Sequence, residues 1–163
     1  MPANISTLIA ALSAPNAEQR AQAAEQLAQL GPDAQPAAIA LVLACGDEAE
    51  EVRQWATSAL EELGPPVVSD MDQLISLIEA KSPDVGYWAA TLLGRLGADA
   101  AVVVDALVRA VASSAALSVR QRAAWAMGEI GSPAAIPSLK TAASDPDPRL
   151  ARLAQEAIEQ ITG

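Results

Sequence analysis

Carboxylates are the most abundant chemistry-bearing side chains here, twenty Asp and Glu among 163 residues against ten Lys and Arg. The adjacent Glu61 and Glu62, and the run Asp47, Glu48, Glu50 and Glu51, have the residue types of an acid–base pair. Acid–base work needs two carboxyls whose surroundings push their pKa values apart, and these polar stretches supply no apolar pocket. The run reads instead as a solvated turn and a helix start, where negative charge meets the positive end of the peptide dipoles. Histidine is absent, which removes imidazole catalysis and His-based metal ligation. The single cysteine, Cys45, allows neither an internal disulfide nor a multi-cysteine metal site. It lies late in an apolar segment and reads as a small buried hydrophobe. The sequence thus predicts a non-enzyme, with no catalytic constellation, no metal and no cofactor.

The aromatic side chains carry a different chemistry, that of recognition. There is no Phe, and the set is Trp55, Tyr87, Trp88 and Trp125. Tyr and Trp pair a large apolar body with a polar tip and serve as interface anchors. What positions them is a repeated phrase that closes on an apolar pair and a glycine. It reads AAEQLAQLG at 23–31, ATSALEELG at 56–64, AATLLGRLG at 89–97, AAWAMGEIG at 123–131 and AQEAIEQIT at 154–162. Self-similarity at roughly 30-residue spacing is the signature of a solenoid. Nearly a quarter of the chain is alanine, the best helix former and small enough to let helices approach closely.

Each repeat divides into two helices. The first carries apolar residues three and four apart, as in Ile5, Leu8, Ile9 and Leu12, then Ile39, Val42 and Leu43, then Leu74, Leu77 and Ile78. Val103, Leu107, Val108 and Val111 continue the series, followed by Ile136, Leu139 and Ala143. A polar turn with Asn, Asp, Ser or Pro follows and can cap the next helix start. The second helix runs to its glycine, which favours a left-handed close. Counting back from Leu30, Leu63, Leu96, Ile130 and Ile161, alanine stands seven places earlier every time, at 23, 56, 89, 123 and 154. Positions nine, five and two places back point away from that core at about 100° per residue. They place Tyr87 and Trp125 on the exposed face, beside Gly94 and Gly128, which leave the surface low. Trp55 and Trp88 share a flanking position and are expected to pack against an adjacent repeat. Softened ends, with Gln19 early and Gln155, Glu159 and Gln160 late, suit capping units of a complete array.

Charge narrows the partner. Residues 1–81 hold twelve acidic and three basic side chains, residues 82–163 eight and seven. Nucleic acid, which demands a basic footprint, is not expected. An acidic surface steers basic protein segments, and it also keeps an Ala-rich chain dispersed. The opening MPANISTLIAALSAPN has no Lys or Arg before its short apolar run and fits the repeat register, so it reads as a helix rather than a signal. No segment reaches the ~18–20 apolar residues of a membrane span.

The phrases EVRQWATSALEELG at 51–64, SVRQRAAWAMGEIGSPAAIPSLKTAASDPDPRL at 118–150 and EQRAQAAEQLAQLG at 18–31 resemble HEAT repeats. They are most similar to the short bacterial type first associated with phycobilisome lyases. The resemblance spans essentially the whole chain. It implies an all-α, right-handed α-solenoid of about five HEAT-like helical hairpins, ten helices in one domain, with repeats near 1–33, 34–66, 67–99, 100–132 and 133–163. It also implies that the Arg of the Val-Arg step (Arg20, Arg53, Arg120) supports neighbouring turns. Gly86 and Ala151 replace it in repeats three and five. HEAT-type di-iron hydroxylases need His-Glu pairs, and HEAT-like DNA glycosylases need a basic face. This chain has neither. The expected function is a cytoplasmic, non-catalytic scaffold or adaptor that binds a protein partner on its concave face, with a basic segment of that partner favoured. Tyr87 and Trp125 are the anchors expected there, with Gln54, Glu61, Glu62, Arg95, Gln121 and Glu129 around them. A chromophore-binding or bilin-lyase-like subunit and a structural spacer are the alternatives.

Overall fold

The computed structural model describes residues 3–163 of the chain. Ten α-helices and four short 3-10 segments make up its regular structure, with no strand among the described residues. The molecule is an all-α solenoid of helical hairpins, and its contacts divide into two compact units, 1–67 and 68–163.

The first unit holds α1 (Ile5–Ala11), α2 (Ala17–Leu30), α3 (Ala38–Ala44) and α4 (Glu50–Leu63). Asn16 starts α2 by accepting hydrogen bonds from the N–H groups of Glu18 and Gln19, at 2.7 and 3.3 Å. That satisfies two donors which a helix start otherwise leaves open. The core is built from Leu27, Leu41, Val42, Val52 and Leu60, all fully buried. Burying a Leu or Val side chain is worth about 1.5–3 kcal/mol. In α3 the buried residues are Ala38, Leu41, Val42 and Ala44, with Cys45 buried just past its end. Leu43, expected in the core, is instead 53 % exposed. The helix begins at 38, so its inward face falls on 38, 41, 42 and 45, and 43 lies on the far side.

The second unit holds α5 (Met71–Ile78), α6 (Pro83–Arg95), α7 (Val104–Ser113), α8 (Leu117–Ile130), α9 (Ile136–Ala142) and α10 (Pro148–Thr162). Proline at the first position of α6 and α10 costs no hydrogen bond, because that N–H has no partner in a helix. Leu74, Leu92, Leu93, Leu107, Met127, Leu139 and Leu150 are fully buried. In both units the alanine seven places before the close is buried to 2 % exposure or less. Gly31, Gly64, Gly97 and Gly131 all take positive φ, from 55° to 76°. Gly131 closes α8 in the left-handed region as expected, while Gly31 and Gly64 pair positive φ with extended ψ of −129° and −154°.

The Val-Arg arginines brace turns. Arg20 donates to the carbonyls of Ala14 and Pro15 and, through Nε and a terminal nitrogen, to both oxygens of Asp47, at 2.8 and 2.9 Å. Arg53 donates to the carbonyls of Asp47 and Glu48. Arg120 joins the Val111 carbonyl to the Asp145 carboxylate. These side chains are consumed by structure, so none is available to a ligand in the way a free guanidinium would be. At Gly86 a Cβ would lie 2.7 Å from the Ile78 carbonyl oxygen, so glycine there lets α5 approach α6.

Candidate functional site

Second helices carry the aromatic residues, and in the second unit α6, α8 and α10 lie side by side. Positions nine, five and two places before the close do not all face solvent here. Thr91 is 4 % exposed, and Gly94 and Gly128 are buried. A Cβ on Gly94 would sit 2.6 Å from Cζ3 of Trp125 and 3.0 Å from Cα of Ala126. One on Gly128 would sit 3.0 Å from Cα of Ala157. The low spots expected to admit a partner are therefore filled by the next helix of the same chain. The physical reason is that glycine removes the spacer between two helices, and the close approach that results covers the gap.

Trp125 lies over Gly94, half-buried, and Tyr87 is half-buried on α6. Between the two rings sits a side chain absent from the expected set. The guanidinium carbon of Arg122 is 4.5 Å from the ring centroid of Tyr87 and 4.5 Å from that of Trp125. Arg122 also donates a hydrogen bond to the Tyr87 hydroxyl. A cation over an aromatic face is attracted by the ring quadrupole, by about 0.5–1 kcal/mol at exposed sites and more when desolvated. The stack ties α6 to α8 and holds the guanidinium in place. A signal for it existed in the sequence. Arg122 stands eight places before its helix close, where repeats two and three carry Trp55 and Trp88. It also stands three residues before Trp125, the spacing of helical neighbours.

A recess of about 50 Å³ opens beside this stack, lined by Tyr87, Ser118, Gln121, Arg122, Trp125, Arg149 and Leu153. Gln121 donates to Asp147 at 2.9 Å, and the same Asp147 oxygen accepts the Leu150 N–H at 2.7 Å and caps α10. The Leu150 N–H and, after it, Gln121 hold the Asp147 carboxyl below its ordinary pKa. Tyr87, Trp125 and Gln121 are thus brought together. Other expected residues are not. Arg95 lies over Trp88, 5.6 Å from its ring centroid, and Glu129 accepts from Gln160 at 3.0 Å. Trp88 itself is buried to 8 % exposure and meets Tyr87 edge-on at 5.6 Å, while Trp55 is half-buried.

In the first unit, α4 carries a shallow groove of about 420 Å³ lined by Glu50, Arg53, Gln54, Thr57, Ser58 and Glu61. Gln54 donates to Glu50 at 3.1 Å. Glu61 shares the groove with Gln54, and Glu62 is exposed outside it. Among the described residues no group of three or more Cys, Asp or Glu is arranged to hold a metal ion.

Comparison with known proteins places this geometry. The family described as HEAT repeats matches residues 5–71 and 71–159. The chain belongs to the HEAT-repeat family. No curated protein sequence matches it. Among solved structures, the complex of CpcE and CpcF of phycocyanin lyase from Nostoc sp. PCC7120 is similar at 26 % identity and TM-score 0.68. The match covers 98 % of this chain and 65 % of that one, so this chain spans slightly less than two thirds of its length. A designed armadillo repeat protein in complex with the peptide (KR)4 is similar at 19 % identity and TM-score 0.64, over 96 % of this chain and 81 % of that one. An engineered protein is similar at 20 % identity and TM-score 0.63, over 97 % and 79 %. At this identity the two designed proteins show the fold alone. Among the described residues no helix of this HEAT-repeat chain is long and apolar enough to cross a membrane.

Proposed function

We propose that this HEAT-repeat chain is a non-catalytic scaffold that binds a protein partner along its second helices. The observation that carries the reading is the half-buried stack of Tyr87, Arg122 and Trp125, a rigid amphipathic patch of the kind that anchors interfaces. The structural neighbours support a protein partner, since one was solved with a peptide and another as a complex of two subunits. In the first unit the Glu50, Gln54 and Glu61 groove, with Glu62 beside it, favours a basic segment of that partner. In the second, Gln121 lies at the stack, while Arg95 and Glu129 stand apart from it, over Trp88 and against Gln160. A single buried cysteine suits a reducing, cytoplasmic setting.

The test is capture of partners from native lysate by wild type, by Trp125→Ala, and by Glu61→Arg, which leaves packing untouched. A partner bound by wild type and lost by either variant at unchanged helicity supports the scaffold. Equal capture by all three discards this surface.

Likeness to a phycocyanin lyase subunit favours a second reading, in which the chain holds a pigment for a companion subunit. Protein isolated from its own source would then absorb visible light, and colourless protein that stays colourless with bilin removes this reading.

A further inference from the structure

The recess beside Trp125 has an unusual charge for so acidic a chain. Arg122 and Arg149 both line it, and among the described residues neither guanidinium has a carboxylate within ion-pair distance. The nearby carboxylate that does take part, Asp147, is engaged by Gln121 and by the Leu150 N–H. Arg122 cannot swing away freely, because two rings flank it at 4.5 Å and the Tyr87 hydroxyl accepts one of its hydrogens. A guanidinium carries five N–H donors in a fixed fork, so most of its donors remain for another acceptor. A planar, pre-positioned fork matches a carboxylate with two parallel hydrogen bonds. The recess, about 50 Å³, has room for one carboxylate group and not for a bulky side chain. Arg149 lies in the first turn of α10, where the helix dipole also favours negative charge.

We infer that the Arg122–Arg149 recess is a carboxylate site that takes an Asp or Glu side chain from an acidic segment of a protein partner. This rests on the reading of the second-helix face as an interface and reverses, for the second unit, the basic partner that net charge suggests. A cation has no place between Tyr87 and Trp125, because Arg122 already holds it. The two units then select segments of opposite sign, the α4 groove a basic one and the α8–α10 recess an acidic one.

The experiment uses the full ¹⁵N-labelled chain, titrated with an acetylated, amidated hexaglutamate peptide and with its hexalysine counterpart. The Trp125 indole N–H and the Arg122 Nε–H resonances report the recess. Hexaglutamate is expected to move both saturably and to weaken as salt rises. Arg149→Gln, a change at an exposed residue, is expected to weaken that binding about tenfold, and Arg122→Gln to abolish it. If Arg122→Gln fails to fold, Arg149→Gln alone decides. Movement of these signals by hexalysine, by neither peptide, or equally by inorganic phosphate overturns the carboxylate site. If partner capture depends on Trp125 while hexaglutamate fails, the interface reading survives and the recess assignment does not. Hexaglutamate binding with Trp125 dispensable for capture keeps the site and removes the interface.

Discussion

Gly94→Ala isolates the contact on which the aromatic stack rests. Alanine in place of a helical glycine should stabilise α6 by about 1 kcal/mol through propensity alone. Against this, the new Cβ would lie 2.6 Å from Cζ3 of Trp125, 3.0 Å from Cα of Ala126 and 3.1 Å from Cβ of Ala126. The indole can tilt away, but the Ala126 backbone cannot move without shifting α8. Overpacking of this kind costs about 1–3 kcal/mol. The difference is a net loss of roughly 0–2 kcal/mol, centred near 1, or about 2–4 °C in Tm for a chain of this size. Thermal melts by circular dichroism measure the loss, and tryptophan fluorescence reports the displaced ring. Combining Gly94→Ala with Trp125→Ala should relieve the indole contact and leave those with Ala126, so most of the loss should persist, with a double-mutant coupling of about 0.5 kcal/mol. A rise in Tm by the full propensity gain, with unchanged emission, would refute a tight α6–α8 approach and with it the account of the stack.

Acid should act through three carboxylates. Arg20 holds Asp47 below its ordinary pKa, and the Asp147 N–H and then Arg120 do the same for Asp145. Asp147 is lowered by the Leu150 N–H and then Gln121. Their stabilisation is complete above the unfolded value of about 3.9 and is lost as pH falls through the lowered folded values. Tm should stay level from neutral pH down to about 5 and drop below about 4, and Asp145→Asn should lessen that drop. Asp70 has the opposite sign, since burial raises its pKa and the folded state is penalised once the group ionises. Asp70→Asn should therefore raise Tm at pH 7 and leave it unchanged at pH 3. Leu107→Ala, in a fully buried position, should cost about 2–5 kcal/mol in chemical denaturation. A smaller loss would mean that the α7 core is loosely packed.

Helices and their inward faces were legible because their causes are local. The alanine at 23, 56, 89, 123 and 154 follows from a period that any helix of this phrase must share, and all five are buried. The closing glycines at 31, 64, 97 and 131 follow from the cost of positive φ for other residues, and all four adopt it. The bracing role of Arg20, Arg53 and Arg120 followed from the likeness to HEAT repeats, and it holds in three of the five second helices, since Gly86 and Ala151 stand at that place in the other two. Leu43 was misplaced because three apolar neighbours in a row leave the phase of a seven-residue helix open.

What only the tertiary structure decided concerns the space between helices. Helical angle fixes where a side chain leaves its own axis, yet Tyr87 and Trp125, expected on the exposed face, are half-buried. It does not fix how near the next axis lies. Gly94 and Gly128 let α8 and α10 come close enough to bury Thr91 and the glycines themselves and to lay Trp125 over its neighbour. Charge counting met the same limit. A sum over residues shows an acidic chain, while distances between side chains show Asp47, Asp145 and Asp147 engaged and, among the described residues, Arg122 and Arg149 without a carboxylate at ion-pair distance. Coulomb interactions and hydrogen bonds depend on separation, and separation is set by how the helices pack, which the order of residues along one helix does not contain.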